Sequence, residues 1–514
     1  MTQSQQPKDA QPKPFPPQVR KSLESGLITY SAVSENRRPD TSVTESINMH
    51  FDTIGSATLR KGMTFLGTGL PASNVLGMHY FVDTVNSGGT NTQLIAVAGT
   101  VAYYLSGGVW TSKRTGLTAG SKARFSTFLN FAFMVNGTEA TAIWDGNPAN
   151  SFVTTGNAQD APSGTLTETF RNRVWIAGNS TDPDKLYYSS AYTTTPPITW
   201  LLNGNLQFIP ISPHDGDVIT ALQRSRNAML VFKTNRIYRV FDISQIDPDP
   251  YYNVGTSSQE SVIEAKTGVF FHHSSGFYNY NVYGQVEEIS RPIIDIIRAI
   301  PASYYPSVVG WMEPDQDHIC WCVGDVTYKG TSYTKMVVRY SISTQVWTHY
   351  SYPRNFTMAI RRQPFYTDGT TQFALTGDTA GNISEMVTGL DDAGTPISYS
   401  LIHRWDNVDG LLSTRKVVQG GAFLHYGGGG TKIAYQTEDD DPDSLNDWSK
   451  KPDKGFLGPS NTIFNTMNIK ARKFRFRVFG TGGGTGASTG YLQPFAYNGY
   501  ELVEVRAEFV QNLN

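Results

Sequence analysis

Two neighbouring stretches of this chain are built to one plan. Val218–Asp242 (VITALQRSRNAMLVFKTNRIYRVFD) and Ser261–Ser290 (SVIEAKTGVFFHHSSGFYNYNVYGQVEEIS) each run strand, polar turn, apolar strand, second turn, aromatic-rich strand. The second adds a fourth run, Gln285–Ile289. A repeated unit of this size cannot bury its own faces and must stack on copies of itself, so a repeat decides the fold before any motif does.

The plan extends in both directions. New triplets of strands begin at His79, Ala123, Thr165, Val218, Ser261, Ser307 and Thr357, with successive starts 42 to 53 residues apart. That is the range of one four-stranded propeller blade. The middle strands, such as QLIAVAG from Gln93 and AMLVFKT from Ala228, are continuously apolar, as strands covered on both faces should be. The third strands alternate, as positions nearer the rim should. The pattern lies in strand type and spacing; WD-type signatures, kelch glycines and an Asp-box are missing. The expectation is an all-β protein: a β-propeller of about seven blades, six being possible, with an array of β-sandwiches as the structural rival. Thr58–Leu66 (TLRKGMTFL) is the candidate strand for closing the ring.

The remaining chain divides around this block. Residues 1–24, rich in Gln, Lys and Pro, read as a disordered or extended arm, since such sequence buries too little apolar surface to offset its ordering entropy. Residues 25–78 read as a lead-in segment carrying the closing strand, 79–390 as the propeller, and 391–514 as a C-terminal β-sandwich with Gly-rich loops within His425–Lys432 and Gly480–Gly490. Pro292–Ile300 is the best candidate for a short helix. No run of eighteen apolar residues spans a membrane, and the proline-rich N-terminus lacks the apolar core of a signal peptide.

Charge narrows the function. With 42 basic and 44 acidic residues the formal charge is −2, which argues against gripping nucleic acid by its phosphates but not against letting it pass. Cys320 and Cys322, the two cysteines, share one face of a strand with Cα atoms roughly 6.5–7 Å apart, at the upper end of disulfide spacing. They read first as buried thiols, with a strained disulfide or a metal pair as alternatives. A large all-β chain without disulfides suits folding in a reducing cytoplasm.

Candidate chemistry is sparse. His214-Asp215-Gly216-Asp217 offers groups for metal binding or acid–base work, against the plain reading of a polar turn between blades. His272 and His273 point to opposite faces of one strand and cannot ligate one ion. The acidic run Thr437–Asp447 carries oxygen ligands suited to calcium but lacks EF-hand spacing, so a solvated loop competes. Paired carboxylates from distant blades, as in propeller glycosidases, leave a polysaccharide hydrolase open. No sialidase-like arginine triad, P-loop or nucleophile elbow is recognisable. The many Tyr, Phe and Trp residues suit packing between blades, or else a stacking surface. No catalytic, cofactor-binding or metal-ligating residue is assigned, and no cofactor is expected.

Several motifs in order do point somewhere. INMHFDTIGSATLRKGMTFLG (from Ile47) holds Asn48-Met49, a turn at Gly55 and Arg60-Lys61-Gly62. Gln93–Gly146 follows with a Gly-x-Trp turn, an Arg-Phe strand, an Asn-Gly turn and Trp-Asp-Gly. Then come Phe170–Ser190, His214–Phe241, GTSSQESV (Gly255–Val262) and Glu287–Ile297. In this order and spacing, over most of residues 45–300, the chain resembles the nozzle or tail tubular proteins of tailed bacteriophages. The resemblance implies a non-enzymatic virion tail component, assembled in the host bacterial cytoplasm as a homo-hexameric ring. Such a ring would attach to the adaptor or portal-proximal tail protein, carry fibres, spikes or a needle, and let DNA through its channel without specific binding. Residues 397–514 match only loosely, and the long insertions of larger tubular proteins are missing. The alternatives are a glycan-binding propeller for host recognition and, behind it, the hydrolase.

Overall fold

The computed structural model describes residues 25–30, 39, 41–52, 57–83, 91–192, 197–247, 253–360, 366–367 and 372–405, with strand segments at 14–19 and between 416 and 501. Among these, all but a few short helical turns of the regular structure is β.

Six blades are free-standing antiparallel sheets arranged around an axis. They span Val75–Arg114, Arg124–Trp144, Leu166–Pro210, Ile219–Ile246, Ile263–Glu288 and Phe356–Met386. The sector between the fifth and last blades is filled by four strands between Val309 and Ser351. They belong to a larger, ten-stranded sheet. About seven blades were expected, with six possible; the count is six, plus this further sheet. The physical reason is that the outer strand, Trp347–Ser351, does not end at a solvated rim. It pairs with Ser42–Ile47, which pairs in turn with Ile397–His403, and Phe474–Gly482 and Lys432–Thr437 follow.

The innermost strands begin at Val75, Arg124, Leu166, Ile219, Ile263, Val309 and Phe356, within four residues of the starts read from the sequence. Hydrophobic clusters sit between successive sectors. Examples are Leu166, Trp175, Leu222 and Val231 between the third and fourth blades, and Val75, Leu94, Met358 and Leu375 across the closure. Middle strands such as Met229–Lys233 are buried along their whole length. Each fully buried large apolar side chain stabilises the fold by about 1.5–3 kcal/mol. The tryptophans also take hydrogen bonds across sectors: Trp321 Nε1 donates to Ser261 O (2.9 Å) and Trp347 Nε1 to Ile289 O (2.9 Å). The aromatics of the strands thus serve packing, with Phe277 and Trp321 only 4.5 Å apart between centroids.

Met63–Phe65, inside the predicted closing stretch, supplies the outer strand of the last blade by pairing with Ile383–Met386. Gly62 just before it passes so close to Asp391 that a Cβ would stand 1.7 Å from the Asp391 carbonyl oxygen. The predicted short helix is present as Ile294–Ala299. Of the arm, Pro14–Val19 is an edge strand of a four-stranded sheet with Ala496–Glu501, Lys416–Phe423 and Ile463–Ala471. The acidic run beyond Thr437 lies outside the described residues.

Candidate functional site

Two places gather polar side chains that the fold must keep in position. One is where the lead-in segment is fastened to the ring. Arg60 is buried, and all five of its N–H donors are used. Its Nη atoms take both Asp392 carboxylate oxygens (2.8 and 2.6 Å) and the carbonyls of Lys61 and Ser351, and its Nε donates to Asn48 Oδ1 (2.9 Å). The guanidinium carbon lies 3.9 Å from the Tyr352 ring centroid. Asn48, at φ 57°, also accepts from Ser351 N and donates to Ser398 O (2.7 Å). One asparagine therefore ties together the lead-in segment, the outer strand of the large sheet and the C-terminal strand beside it.

Four residues on, Asp52 enters a charged cluster at the tip of the first hairpin of the large sheet. Arg339 grips Asp52 through two bonds of 2.8 Å and Glu313 through Nη2 (3.0 Å) and Nε (3.2 Å). His318 lies between Asp315 (2.5 Å) and Asp52 (3.1 Å). Burial disfavours a charge on Asp52, but hydrogen bonds from His318 and Arg339 outweigh it and hold the carboxyl well below the usual carboxylate range. Burial likewise opposes a charge on His318, yet Asp315 and Asp52 push it up to about 9. The neighbouring His50, buried and beside Arg339, is pressed down to about 4.

Glu313, Asp315 and His318 bring ligand-type atoms within 4.8 Å of one another. A metal ion there would have to displace the proton that His318 shares with Asp315 and sit beside the Arg339 guanidinium. The cluster is built as an ion-pair network.

The second place is the axis. Inner strands of the first, second, third and last blades line a cavity of about 260 Å³, with Arg224 and Glu260 also in its wall. Glu260, almost fully buried, reaches across it from the turn before the fifth blade to Arg124 (2.8 Å) and Lys122 (3.1 Å) of the second. Its neighbour Gln259 accepts from Leu222 N (2.7 Å) and donates to Leu222 O (3.1 Å), standing in for a paired strand. Ser258 Oγ donates to Val308 O (2.7 Å). The GTSSQESV motif is thus a junction of three sectors at the axis.

The residues singled out from the sequence fall into structural roles. Asp215 and Asp217 of the His-Asp-Gly-Asp turn surround Lys233, which is wholly buried in the middle strand of the fourth blade. Its ammonium donates to Asp215 (2.7 Å), Asp184 (3.1 Å) and the carbonyls of Ser212 and Asp217. His214 is exposed, and among the described residues its ring has no carboxylate partner, so no His–Asp dyad forms. Cys320 and Cys322 are free thiols on one buried face, and burial pushes both up. His273 is held by Ser275 (2.7 Å) on the outer face. Arg60, Arg339, Asp392 and Glu313 were not read as a site, because their partners lie up to 332 residues away.

His272 is buried between Phe277 and Tyr305, and neither ring nitrogen has a partner among the described residues. Burial, with a smaller contribution from His273, presses it down to about 3. The unfolded chain takes up this proton near pH 6.5 and the folded chain resists it to about 3, so stability is lost as pH falls through that window. His272→Leu is expected to raise stability by about 1 kcal/mol at neutral pH and by more at pH 5. Thermal melts at both values check this; a loss at both would contradict it.

No family model matches the chain, and no characterised protein matches it in sequence. Among solved structures it is similar to the computationally designed Ika8 protein (11% identity, TM-score 0.38, covering 63% of this chain and 99% of that one). It is also similar to YCF48 from Cyanidioschyzon merolae (10%, 0.39, 63% and 98%) and to BBS1N in complex with ARL6DN (9%, 0.39, 64% and 98%). At such scores these likenesses carry no argument about what the chain does.

Proposed function

We propose that this chain is a structural component of a bacteriophage tail, a nozzle or tube segment assembled as a ring of six copies. DNA would leave the particle through the ring, which would attach to an adaptor or portal-proximal protein and carry fibres, spikes or a needle. One observation carries the reading. The residues by which the sequence resembles tail nozzle proteins, Asn48, Arg60, Gly62 and the Gln259 motif, are those that fasten the fold. The side chains of Asn48, Arg60 and Gln259, and the backbone at Gly62, are committed to distant parts of the same chain, as a rigid building block requires. The charge of −2 suits a conduit, because each phosphate contact would slow passage. A cavity of about 260 Å³ at the axis, with Glu260 bound to Arg124 in its wall, leaves no path for duplex DNA through one propeller, so the conduit in this reading is the space enclosed by the six copies. The test is the mass of the purified species, alone and with virion components. A sixfold ring supports the assignment, and a stable monomer under both conditions contradicts it.

A further inference from the structure

At one mouth of the propeller, the turns between first and second strands form an open bowl of about 530 Å³. We propose that this bowl binds a carboxylate-bearing sugar, a unit of an acidic glycan. The idea stands on the bowl itself and holds whether or not the chain forms a ring.

Arg171, Arg224 and Arg226 line the bowl from the third and fourth blades, with Glu264 of the fifth on its rim. All three arginines are exposed, and no carboxylate lies within ion-pair distance of any of them among the described residues. Other arginines of the ring have partners: Arg124 pairs with Glu260, Arg236 with Asp215 and Arg239 with Asp247, and Arg173 donates to Ser189 O (2.6 Å). Arg171 lies over the Phe170 ring (5.7 Å to the centroid), and three guanidinium groups without an ion-pair partner against the one carboxylate of Glu264 raise the potential of the concavity and favour an anion there. Their planar forks match a carboxylate in two-bonded geometry.

The cradle is preformed. Arg171-Asn172 is a two-residue hairpin turn with φ of 49° and 59°, the left-handed pair that tight hairpins use. Asn172 Nδ2 donates to Tyr192 O (3.0 Å), fixing that tip. Buried Gln223 donates to both Arg224 O (3.0 Å) and Glu264 Oε2 (3.1 Å), which sets the spacing of the fourth and fifth blades. Thr169 Oγ1 donates to Thr127 O (3.1 Å) across the second and third. A ligand therefore meets groups already held in place.

The class follows from what else lines the bowl. Its volume falls in the range of small-molecule sites, roughly 300–1,000 Å³. Ser225, Asn172 and the Glu264 carboxylate offer partners for hydroxyl groups. Glu264, one carboxylate against three arginines, is compatible with a single negative charge but opposes the run of charges on a phosphate chain, and the aromatics beneath, Phe128 and Phe170, are buried and give bases no face to stack on.

The test titrates the whole chain with N-acetylneuraminic acid and with glucuronic acid, following protein chemical shifts or heat. Saturable binding is expected, weakened at least about tenfold in Arg224→Ala and in the pair Arg171→Ala/Arg226→Ala. These side chains are exposed, and unchanged melting temperatures confirm that the variants fold. Equal binding of glucose would overturn the proposal, as would acetate or inorganic phosphate binding as tightly as the sugar acids. Tighter binding of a single-stranded oligonucleotide, or no saturation with either acid, would overturn it too.

Discussion

Replacing Arg60 by leucine is expected to lower stability by about 3–5 kcal/mol, the cost of leaving a buried charge without its partner. The charge left behind is Asp392, 4% exposed and gripped through both oxygens. The loss also frees Asn48 Oδ1 and the carbonyls of Lys61 and Ser351 from a buried donor. Arg60→Lys should recover only part of this, because an ammonium has three donors and no planar fork. The double variant Arg60→Leu/Asp392→Leu should recover more, since it removes the orphaned charge. Denaturation midpoints of the four proteins decide the matter. An Arg60→Leu midpoint equal to that of the parent would show that the lead-in segment is not held here.

The second large effect is expected at Arg339. Arg339→Met strips four hydrogen bonds from Asp52 and Glu313 and leaves carboxylates facing one another around His318, again at a cost of about 3–5 kcal/mol. Its pH dependence sets it apart from a packing defect. The deficit should be largest at neutral pH, where the carboxylates are charged, and should shrink in acid as they take up protons. The parent has its own alkaline limb. His318 is raised from 6.5 to about 9, so its contribution is complete below pH 6.5 and is lost as pH rises towards 9. His318→Gln should remove that limb, and melts from pH 6 to 9.5 read the difference. A parent whose stability is flat over this range would contradict the charged His318.

Much of the fold was legible because a blade is a local object. Each inner strand, such as Leu166–Phe170, is followed at once by its partner, so strand type and turn spacing locate it. The closing strand was found for a related reason, since a ring of blades needs an outer strand from the chain's other end. The fusion of the large sheet was not legible. Ser42–Ile47 pairs with Ile397–His403 over some 350 residues, and nothing in either stretch names the other. The same distance hid the Arg60–Asp392 and Arg339–Asp52 pairs, which look from the sequence like ordinary surface charges. The His-Asp-Gly-Asp turn shows the opposite case. Its carboxylates were visible as a possible site, but their partner, Lys233, sits in an apolar strand where a lysine reads as an irregularity. The arginines of the mouth were passed over because they sit on separate hairpin tips that only the ring brings together.

If these fastened elements make a rigid segment of a ring, as proposed, single-particle imaging of the purified chain, alone and mixed with virion components, with masses determined on the same samples, will show it. Six copies in a closed ring whose lumen is neutral or acidic are expected. A stable monomer under both conditions, or a ring with a continuous basic lumen, would contradict the proposal.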